Sequence, residues 1–412
     1  YNELQINNVI SDLLQLGYHF LSTLHFERKE ALAKNFVLEE LLEREQTDLA
    51  KKVGRSFSQK LKKSDYKNYE HHQNQYQYHD KMVRYHLSTK MRSRDEHLQQ
   101  QNDSFDLYYL SNKLRMACDM TNRNSTTSGY YQCHFLEELL PYYEANFSDY
   151  QNHPSLTVYY RILKLIKDRK EEEYQFLKKY IPQQLVHFPK KELRIIYVYL
   201  QNYCVYQINS GHSHYYKELR DLYDVLLREE IIFKNGFLRQ WTYKNIVTVG
   251  LRLSDYDWTE QIIQEYKHRL EPEERDNAVA YNLAALYYAR RRYKPALQQL
   301  HNVEFTDTSY HVGAKIIQIK SYYELDETDA LYALIEAFKK YILRNKKLVP
   351  YHKNANANFL RLVKKVYQLK VSKKRRTKAN FEERKEKVVL LLEELEPIAN
   401  KDWLGEILEG IE

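Results

Sequence analysis

The sequence predicts an all-α fold, namely an α-α superhelix in which antiparallel helix pairs stack on one another. Apolar residues recur at helical spacing in nearly every segment, and a two-helix pattern recurs about every 34 residues between positions 245 and 340. The 412 residues include only 9 glycines and 8 prolines, so few turns need a positive φ angle and few helices are interrupted.

The 39 tyrosines, against 15 phenylalanines, favour thin helical layers over a thick globular core. A tyrosine ring packs well, but its hydroxyl needs a hydrogen-bond partner. In a two-layer array the ring can be buried while the hydroxyl reaches water. The tyrosine excess is therefore a second indication of an extended helical stack.

Charge and composition divide the chain into three predicted regions. Residues 1–104 form an N-terminal helical region that contains a basic segment at 51–100, where 12 Lys and Arg face 5 Asp and Glu. Residues 105–369 read as successive helix pairs, and residues 370–412 as a basic connector followed by C-terminal capping helices. The net charge of +8 is thus local in origin and does not characterise the whole protein.

Individual helices can be assigned from apolar stripes and boundary residues. LRIIYVYLQNYCVYQI at 193–208 carries one apolar stripe, and Pro154 and Pro189 precede apolar runs where proline suits a first helical turn. Asp257, with a glutamate three residues later, fits a helix cap. We find no alternating strand pattern.

The cysteine pattern and the hydropathy of the chain indicate its cellular compartment. Cys118, Cys133 and Cys204 share no close spacing, so neither a disulfide framework nor a zinc pattern follows. No apolar run approaches the roughly 18 residues of a membrane helix. We expect a cytoplasmic protein with no membrane span.

The segment NAVAYNLAALYYARRRYKPALQQLHNVEF at 277–305 is the most regular copy of the repeat. A forward shift of 34 residues brings Leu283 onto Ile317 and Ala296 onto Ala330. A backward shift of 34 to 35 residues brings Ala284 onto Gly250. Such a hairpin cannot bury its apolar face alone, so neighbouring hairpins are expected to stack and to form a groove.

This segment resembles the tetratricopeptide repeat. The apolar and small positions of that pattern are occupied by Leu283, Ala284, Tyr287, Ala296 and Leu300. Ala280 and Thr308 depart from the tryptophan and proline that are frequent in the pattern. Over roughly 105–412 the chain also resembles a family of uncharacterised bacterial helical-repeat proteins, a resemblance that implies no known activity.

The tetratricopeptide resemblance implies that the first helix of each pair lines a concave groove. It places in that groove Tyr243, Lys244, Thr248, Tyr281, Asn282, Tyr288, Lys315 and Tyr322. Amide and ammonium groups on adjacent inner helices can hold a peptide backbone or a carboxylate. The expected function is a non-catalytic scaffold that binds a protein or peptide.

A nucleic-acid-binding function of the basic segment is the alternative. Lysines could neutralise phosphates while tyrosines stack on unpaired bases. The candidate residues are Lys60, Lys62, Lys63, Lys67, Tyr76, Tyr78, Lys81 and Arg84. The run SKKRR at 372–376 could act in the same way. An exposed helix for 51–100 and a solvated connector for SKKRR are the preferred interpretations.

Signals for catalysis or cofactors are missing from the sequence. We find no GxGxxG, GxxxxGK[ST], HExxH, GxSxG or CxxC motif, and we expect neither a cofactor nor enzymatic activity. His72, His79 and His86 are seven residues apart and, with His71, raise the hypothesis of a metal site on one helical face. A solvated polar face is the preferred interpretation, because no carboxylate or cysteine completes a ligand set.

Overall fold

The computed structural model of the protein describes residues 3–89, 94–126, 130–301, 307–372 and 378–411. Within these ranges the chain forms 20 α-helices and no β-strand, which confirms the all-α prediction. Two isolated β-bridges, between Lys234 and Phe237 and between Leu238 and Leu270, are the described extended pairings. The four basic residues 373–376 of the SKKRR run lie outside the described residues.

The helices follow one another with short connections. In chain order they are α1 (Glu3–Arg28), α2 (Glu30–Glu43), α3 (Thr47–Lys63), α4 (Tyr69–Ser88), α5 (Glu96–Thr126), α6 (Leu136–Ala145), α7 (Phe147–Tyr150), α8 (Pro154–Asp168), α9 (Glu171–Tyr180), α10 (Lys190–Asn209), α11 (Tyr215–Arg228), α12 (Gln240–Arg252), α13 (Tyr256–Tyr266), α14 (Pro272–Ala289), α15 (Tyr293–Gln299), α16 (Thr308–Glu324), α17 (Thr328–Arg344), α18 (Pro350–Ser372), α19 (Lys378–Glu394) and α20 (Lys401–Glu409). Pro154 opens α8 and Pro189 directly precedes α10, as the sequence predicts.

The chain divides into two compact units, 1–215 and 216–412. The sequence-based boundary at 104/105 falls inside α5, a continuous helix that packs on both α4 and α8 and so joins the basic segment to the helices that follow it. The second sequence-based region, 105–369, spans both compact units. The composition changes near position 104, but α5 continues through this position as one helix, so the change in composition does not mark a structural boundary.

A buried carboxylate ties three helices together in the first unit. Glu192 of α10 accepts hydrogen bonds from the Asn68 side-chain amide (2.6 Å) and from the Tyr159 hydroxyl of α8 (2.7 Å). Asn68 also caps α4, because its side-chain oxygen accepts from the backbone N–H of His71. Burial raises the pKa of Glu192, and the two hydrogen bonds act in the opposite direction. The start of α4 is thereby fixed against α8 and α10.

Three buried tyrosines donate hydrogen bonds to acceptors inside the protein. Tyr159 donates to Glu192, Tyr243 to the backbone oxygen of Ile263 (2.8 Å), and Tyr310 to that of Gln240 (2.8 Å). The sequence-based expectation that tyrosine hydroxyls reach water therefore does not describe these residues. Their rings are buried because a carboxylate or a helix-end carbonyl lies within reach of the hydroxyl.

The second unit contains three consecutive helical hairpins: α12 with α13, α14 with α15, and α16 with α17. The first helices of these hairpins also pack on one another in order, α12 on α14 and α14 on α16. Such contacts create a layer of first helices beside a layer of second helices. The unit is therefore a helical-repeat array, the coarse form of the architecture that the sequence predicts.

Each hairpin turn contains one residue in the left-handed backbone region, namely Ser254 (φ +56°), Arg291 (φ +57°) and Asp326 (φ +57°). The next residue donates its N–H to a carbonyl five residues earlier, a bond that closes a helix C-terminus. The bonds are Asp255 to Gly250 (3.0 Å), Arg292 to Tyr287 (2.8 Å) and Glu327 to Tyr322 (3.1 Å).

These turns correct the register of the repeat. Ser254, Arg291 and Asp326 are 37 and 35 positions apart, not a constant 34. Because Gly250 and Tyr287 accept equivalent turn bonds, Gly250 corresponds to Tyr287 rather than to Ala284. Helix α12 has 13 residues and α14 has 18, so identical shifts cannot align both ends of the hairpins. The cap of α13 also differs from the sequence-based prediction. The sequence predicts Asp257, whereas in the structure the cap is Asp255, whose carboxylate accepts a hydrogen bond from the Trp258 backbone N–H (3.3 Å).

We expect Gly250→Ala to destabilise the second unit. A Cβ atom at position 250 would lie 2.2 Å from Thr259 Oγ1 and 2.9 Å from the Trp258 ring, so α13 would have to move away from α12. Crowding of this kind lowers the free energy of unfolding by about 1–3 kcal/mol. Urea unfolding followed by circular dichroism measures the effect.

Gly405→Ala in α20 is the matched control for this substitution. Nothing lies within 4 Å of a Cβ atom at position 405, so only the helix preference of alanine should act, and stability should stay equal or rise. Equal effects of the two substitutions would contradict the close packing of α12 on α13.

Candidate functional site

The candidate site is a lysine among aromatic rings on three successive first helices. The Nζ atom of Lys244 in α12 lies 5.4 Å from the centre of the Trp241 ring, 4.8 Å from that of Tyr281 and 5.1 Å from that of Tyr310. Tyr281 belongs to α14 and Tyr310 to α16. We call these four residues the Lys244 site.

Local sequence positions these side chains. Trp241 and Lys244 are three residues apart in α12 and therefore share a helix face. The Tyr310 hydroxyl is bonded to the backbone oxygen of Gln240 at the start of α12, and Asp307 caps the helix that carries Tyr310. Gly313 leaves room for Tyr281, since a Cβ atom there would lie 2.6 Å from the Tyr281 hydroxyl oxygen.

The ammonium group of Lys244 is half-buried, and burial lowers its pKa, an effect that the charge of Asp307 opposes. The three rings favour the charged form through cation–π attraction. Among the residues that the structure describes, none accepts a hydrogen bond from Lys244 Nζ. The group can therefore donate to an acceptor from outside the chain, and a carboxylate would form the strongest such bond.

Two of the eight residues that the resemblance assigns to the groove lie in the core. Tyr243 is fully buried and bonded to the Ile263 carbonyl. Asn282 is also fully buried, and its amide donates to the Ala278 carbonyl of its own helix (2.8 Å). Neither side chain can contact a ligand on the surface of this structure. Each neighbours a residue of the Lys244 site in sequence and lies on a different face of its helix.

Three further predicted residues are not part of the Lys244 site. Thr248 is exposed, and its hydroxyl donates to the Lys244 carbonyl (2.8 Å). Lys315 donates to Gln318 on its own helix (3.1 Å), and burial lowers the pKa of Lys315. Tyr322 packs against the hydrophobic core around α17 and α18. Of the eight residues, Lys244 and Tyr281 are brought into direct proximity.

The remaining predicted residue, Tyr288, lies beside a second lysine that sequence reasoning missed. Lys320 Nζ is 5.9 Å from the Tyr288 ring centre and 5.0 Å from that of Trp403, and it donates to the Asn400 side-chain oxygen (2.7 Å). Burial lowers the pKa of Lys320 to about 8. This lysine is already bound by the C-terminal segment, in contrast to Lys244.

The residues that were missed differ in how well sequence could have revealed them. Trp241 precedes Lys244 by three positions, so helical spacing alone could have added it. Tyr310 lies in the first turn of α16, the first helix of the third hairpin. The resemblance that places first-helix residues in the groove could therefore also have included Tyr310. Trp403 and Asn400 are about 80 residues from Lys320, and no local pattern connects them.

The basic segment does not present a strip of free lysines and tyrosines. Lys60 forms an ion pair with Glu30, Lys81 is buried with its Nζ 3.7 Å from Glu39, and Arg84 contacts Glu39 (3.6 Å). Carboxylates of α2 thus neutralise three of the predicted phosphate-binding residues. No contact among the described residues of this segment favours nucleic acid over ordinary helix packing.

The tyrosines of this segment also take part in packing. Tyr78 is buried with its ring edge against Phe57, and Tyr76 packs on Phe105. Lys62 and Lys63 are exposed at the end of α3, and the backbone N–H of Lys67 donates to the His187 carbonyl (3.0 Å). Nucleic-acid binding stays a sequence-based prediction that a gel shift at two salt concentrations would test.

Histidines of α4 pack against each other, against His153 at the N-cap of α8 and against His97 of α5. The His72 ring lies 5.4 Å from that of His71 and 5.6 Å from that of His153, and His79 Nδ1 is 3.0 Å from His97 Nδ1. The preferred sequence-based interpretation, a solvated polar face, does not hold for His71 and His72, which are buried. In the described part of the chain no three His, Cys, Asp or Glu residues are grouped so that they could hold a metal ion.

Comparison with protein-family models, with curated proteins and with solved structures found no match. No helix in the described ranges is both long and apolar enough to cross a membrane.

We expect the first unit to lose stability as the pH falls below about 6.5. Burial lowers the pKa of His72 to about 3 and the pKa values of His71 and His79 to about 4 in the folded chain. The unfolded chain therefore binds protons first on acidification, and the free energy of unfolding falls between about pH 6.5 and 4, by at most about 1.4 kcal/mol per pH unit for each histidine. Thermal unfolding at a series of pH values measures this slope.

The substitution His72→Leu should reduce the slope, because it removes a buried titrating group. His268→Leu, at an exposed position, is the control and should leave the slope unchanged. A slope that is the same in both variants and in the wild type would show that buried histidines do not cause the acid sensitivity.

Proposed function

We propose that the second unit is a tetratricopeptide-like array and that the protein is a non-catalytic scaffold that binds a protein or peptide on the first helices of this array. The supporting observation is the Lys244 site, where one half-buried ammonium group meets three rings from three successive first helices. A surface that spans consecutive repeats can contact an extended ligand over its length.

The chemistry of the site selects the kind of ligand. The Lys244 ammonium is partly desolvated and has no described hydrogen-bond acceptor, so an anionic oxygen of a ligand can supply one. The adjoining rings offer apolar surface for the carbon atoms next to that oxygen. A peptide with an aspartate, a glutamate or a terminal carboxylate meets both requirements. The positions of Tyr281 and Trp241 beside the ammonium would then orient the ligand's aliphatic part.

The test compares the full-length chain with Lys244→Met, which keeps the side-chain stem and removes the charge. A display library of random peptides is enriched on immobilised wild-type protein, and the enriched peptides are then titrated against each variant. We expect enrichment of acidic peptides and an affinity at least about tenfold lower for Lys244→Met, as loss of a hydrogen bond between charged groups predicts.

Lys294→Met is the matched control, because Lys294 is an exposed lysine on the second helix α15. It should bind the enriched peptides as the wild type does, and both variants should keep wild-type helicity. Enrichment of peptides without acidic residues, or equal affinity of Lys244→Met and wild type, would refute the proposal.

A further inference from the structure

Helix α1 carries an apolar face that no described residue of the first unit covers. None of its 26 residues is buried. Its main contact is with α2, where Phe26 meets Phe36 with ring centres 5.9 Å apart. Leu13 is 62% exposed and Phe20 is 64% exposed. A continuous apolar surface of this kind is unusual on a chain that functions alone.

The exposed face follows a seven-residue repeat. Ile6, Ile10, Leu13, Gly17, Phe20 and Leu24 are spaced by alternating steps of four and three residues. This is the spacing at which two helices pack side by side. Val9, Leu14, Leu16 and Leu21 flank the row on both sides, while Ser11 and Gln15 lie on the opposite side of the helix. We call the row of six residues the α1 face.

We infer that two copies of this chain associate through their α1 faces, with the two helices antiparallel. In an antiparallel pair centred near Gln15, Leu13 lies opposite Gly17 of the second copy and Ile10 lies opposite Phe20. A large side chain then meets a small one at the centre. A parallel pair would place Gly17 opposite Gly17 and Phe20 opposite Phe20, which leaves a void in one layer and crowding in another.

The environment of Gly17 supports the same arrangement. A glycine inside a helix is unfavourable relative to alanine, and no atom of the described residues lies within 4 Å of a Cβ atom at this position. Packing inside the chain therefore gives no reason for a glycine there. The side chain of Leu13 from a second copy would fill the space beside it.

The size of the α1 face and its ends are also consistent with self-association. A helix of 26 residues is about 39 Å long and about 11 Å across, so the half of its lateral surface that includes the α1 face and its flanking apolar residues covers on the order of 700 Å². This approaches the roughly 800 Å² that each partner contributes to a stable complex.

Antiparallel packing also brings the first turn, with Glu3, near the last turn of the second copy, which holds Arg28 and His25 together with Glu27. The two helix dipoles then attract.

Sedimentation equilibrium of the full-length chain tests the inference. We expect the mass of a dimer for the wild type and for Ser11→Asp, a substitution on the polar side of α1. Leu13→Asp should weaken the dimer at least about a hundredfold, while circular dichroism shows unchanged helicity. A wild-type chain that stays monomeric, or a dimer unaffected by Leu13→Asp, overturns the inference.

Cysteine cross-linking tests the orientation. Copies with Leu13→Cys and copies with Gly17→Cys are mixed in a Cys133→Ser background, which removes the partly exposed native thiol. The antiparallel register predicts oxidation mainly between unlike copies, whereas cross-links mainly between Gly17→Cys copies would overturn it. Flotation of wild-type monomers with anionic phospholipid vesicles, with no dimer in solution, would assign the α1 face to a membrane surface and would also refute the inference.

Discussion

The second unit depends on the backbone reversal between paired helices. Ser254, Arg291 and Asp326 adopt a left-handed conformation that is unfavourable for residues with a Cβ atom, and the repeated turn bonds hold them there. Each reversal ends a first helix and aims the second helix back along it. Lys244 and Tyr281 both stand ten positions before the left-handed residue of their turn. They therefore occupy equivalent places on neighbouring helices, which is why their side chains meet.

Burial of polar atoms is the second theme of the structure, and buried polar side chains in both units have acceptors within reach. In the first unit, Glu192 holds Asn68 and Tyr159 and so connects three helices through side chains. In the second unit, Tyr243 and Tyr310 use backbone carbonyls at helix ends. Each satisfied hydroxyl permits a large ring to enter the core. Lys244 contrasts with these residues, because its half-buried ammonium has rings around it and no described acceptor.

The Lys244 site and the α1 face are surfaces of opposite character, and neither needs the other in order to bind its partner. The Lys244 site combines one charge with aromatic rings on the repeat array and suits a ligand that carries an anionic group. The α1 face is apolar along its length, and its small central residue suits a helix of the same sequence. Self-association through α1 would give each assembly two Lys244 sites, so a ligand with two acidic segments would bind with increased avidity.

Sequence alone determined the all-α class and the hairpin character of 277–300, because helical periodicity and turn chemistry act over a few residues. The resemblance to the tetratricopeptide repeat nominated Lys244 and Tyr281 among its eight groove residues. Tertiary structure decided the rest. Tyr243 and Asn282 are neighbours of those two residues in sequence, yet packing on adjacent helices turned them into core residues. The repeat spacings of 37 and 35 depend on helix lengths, which no fixed shift can recover. The contact of Lys320 with Trp403 and the pairing of His79 with His97 join residues from different helices, and such contacts form only when the chain has folded.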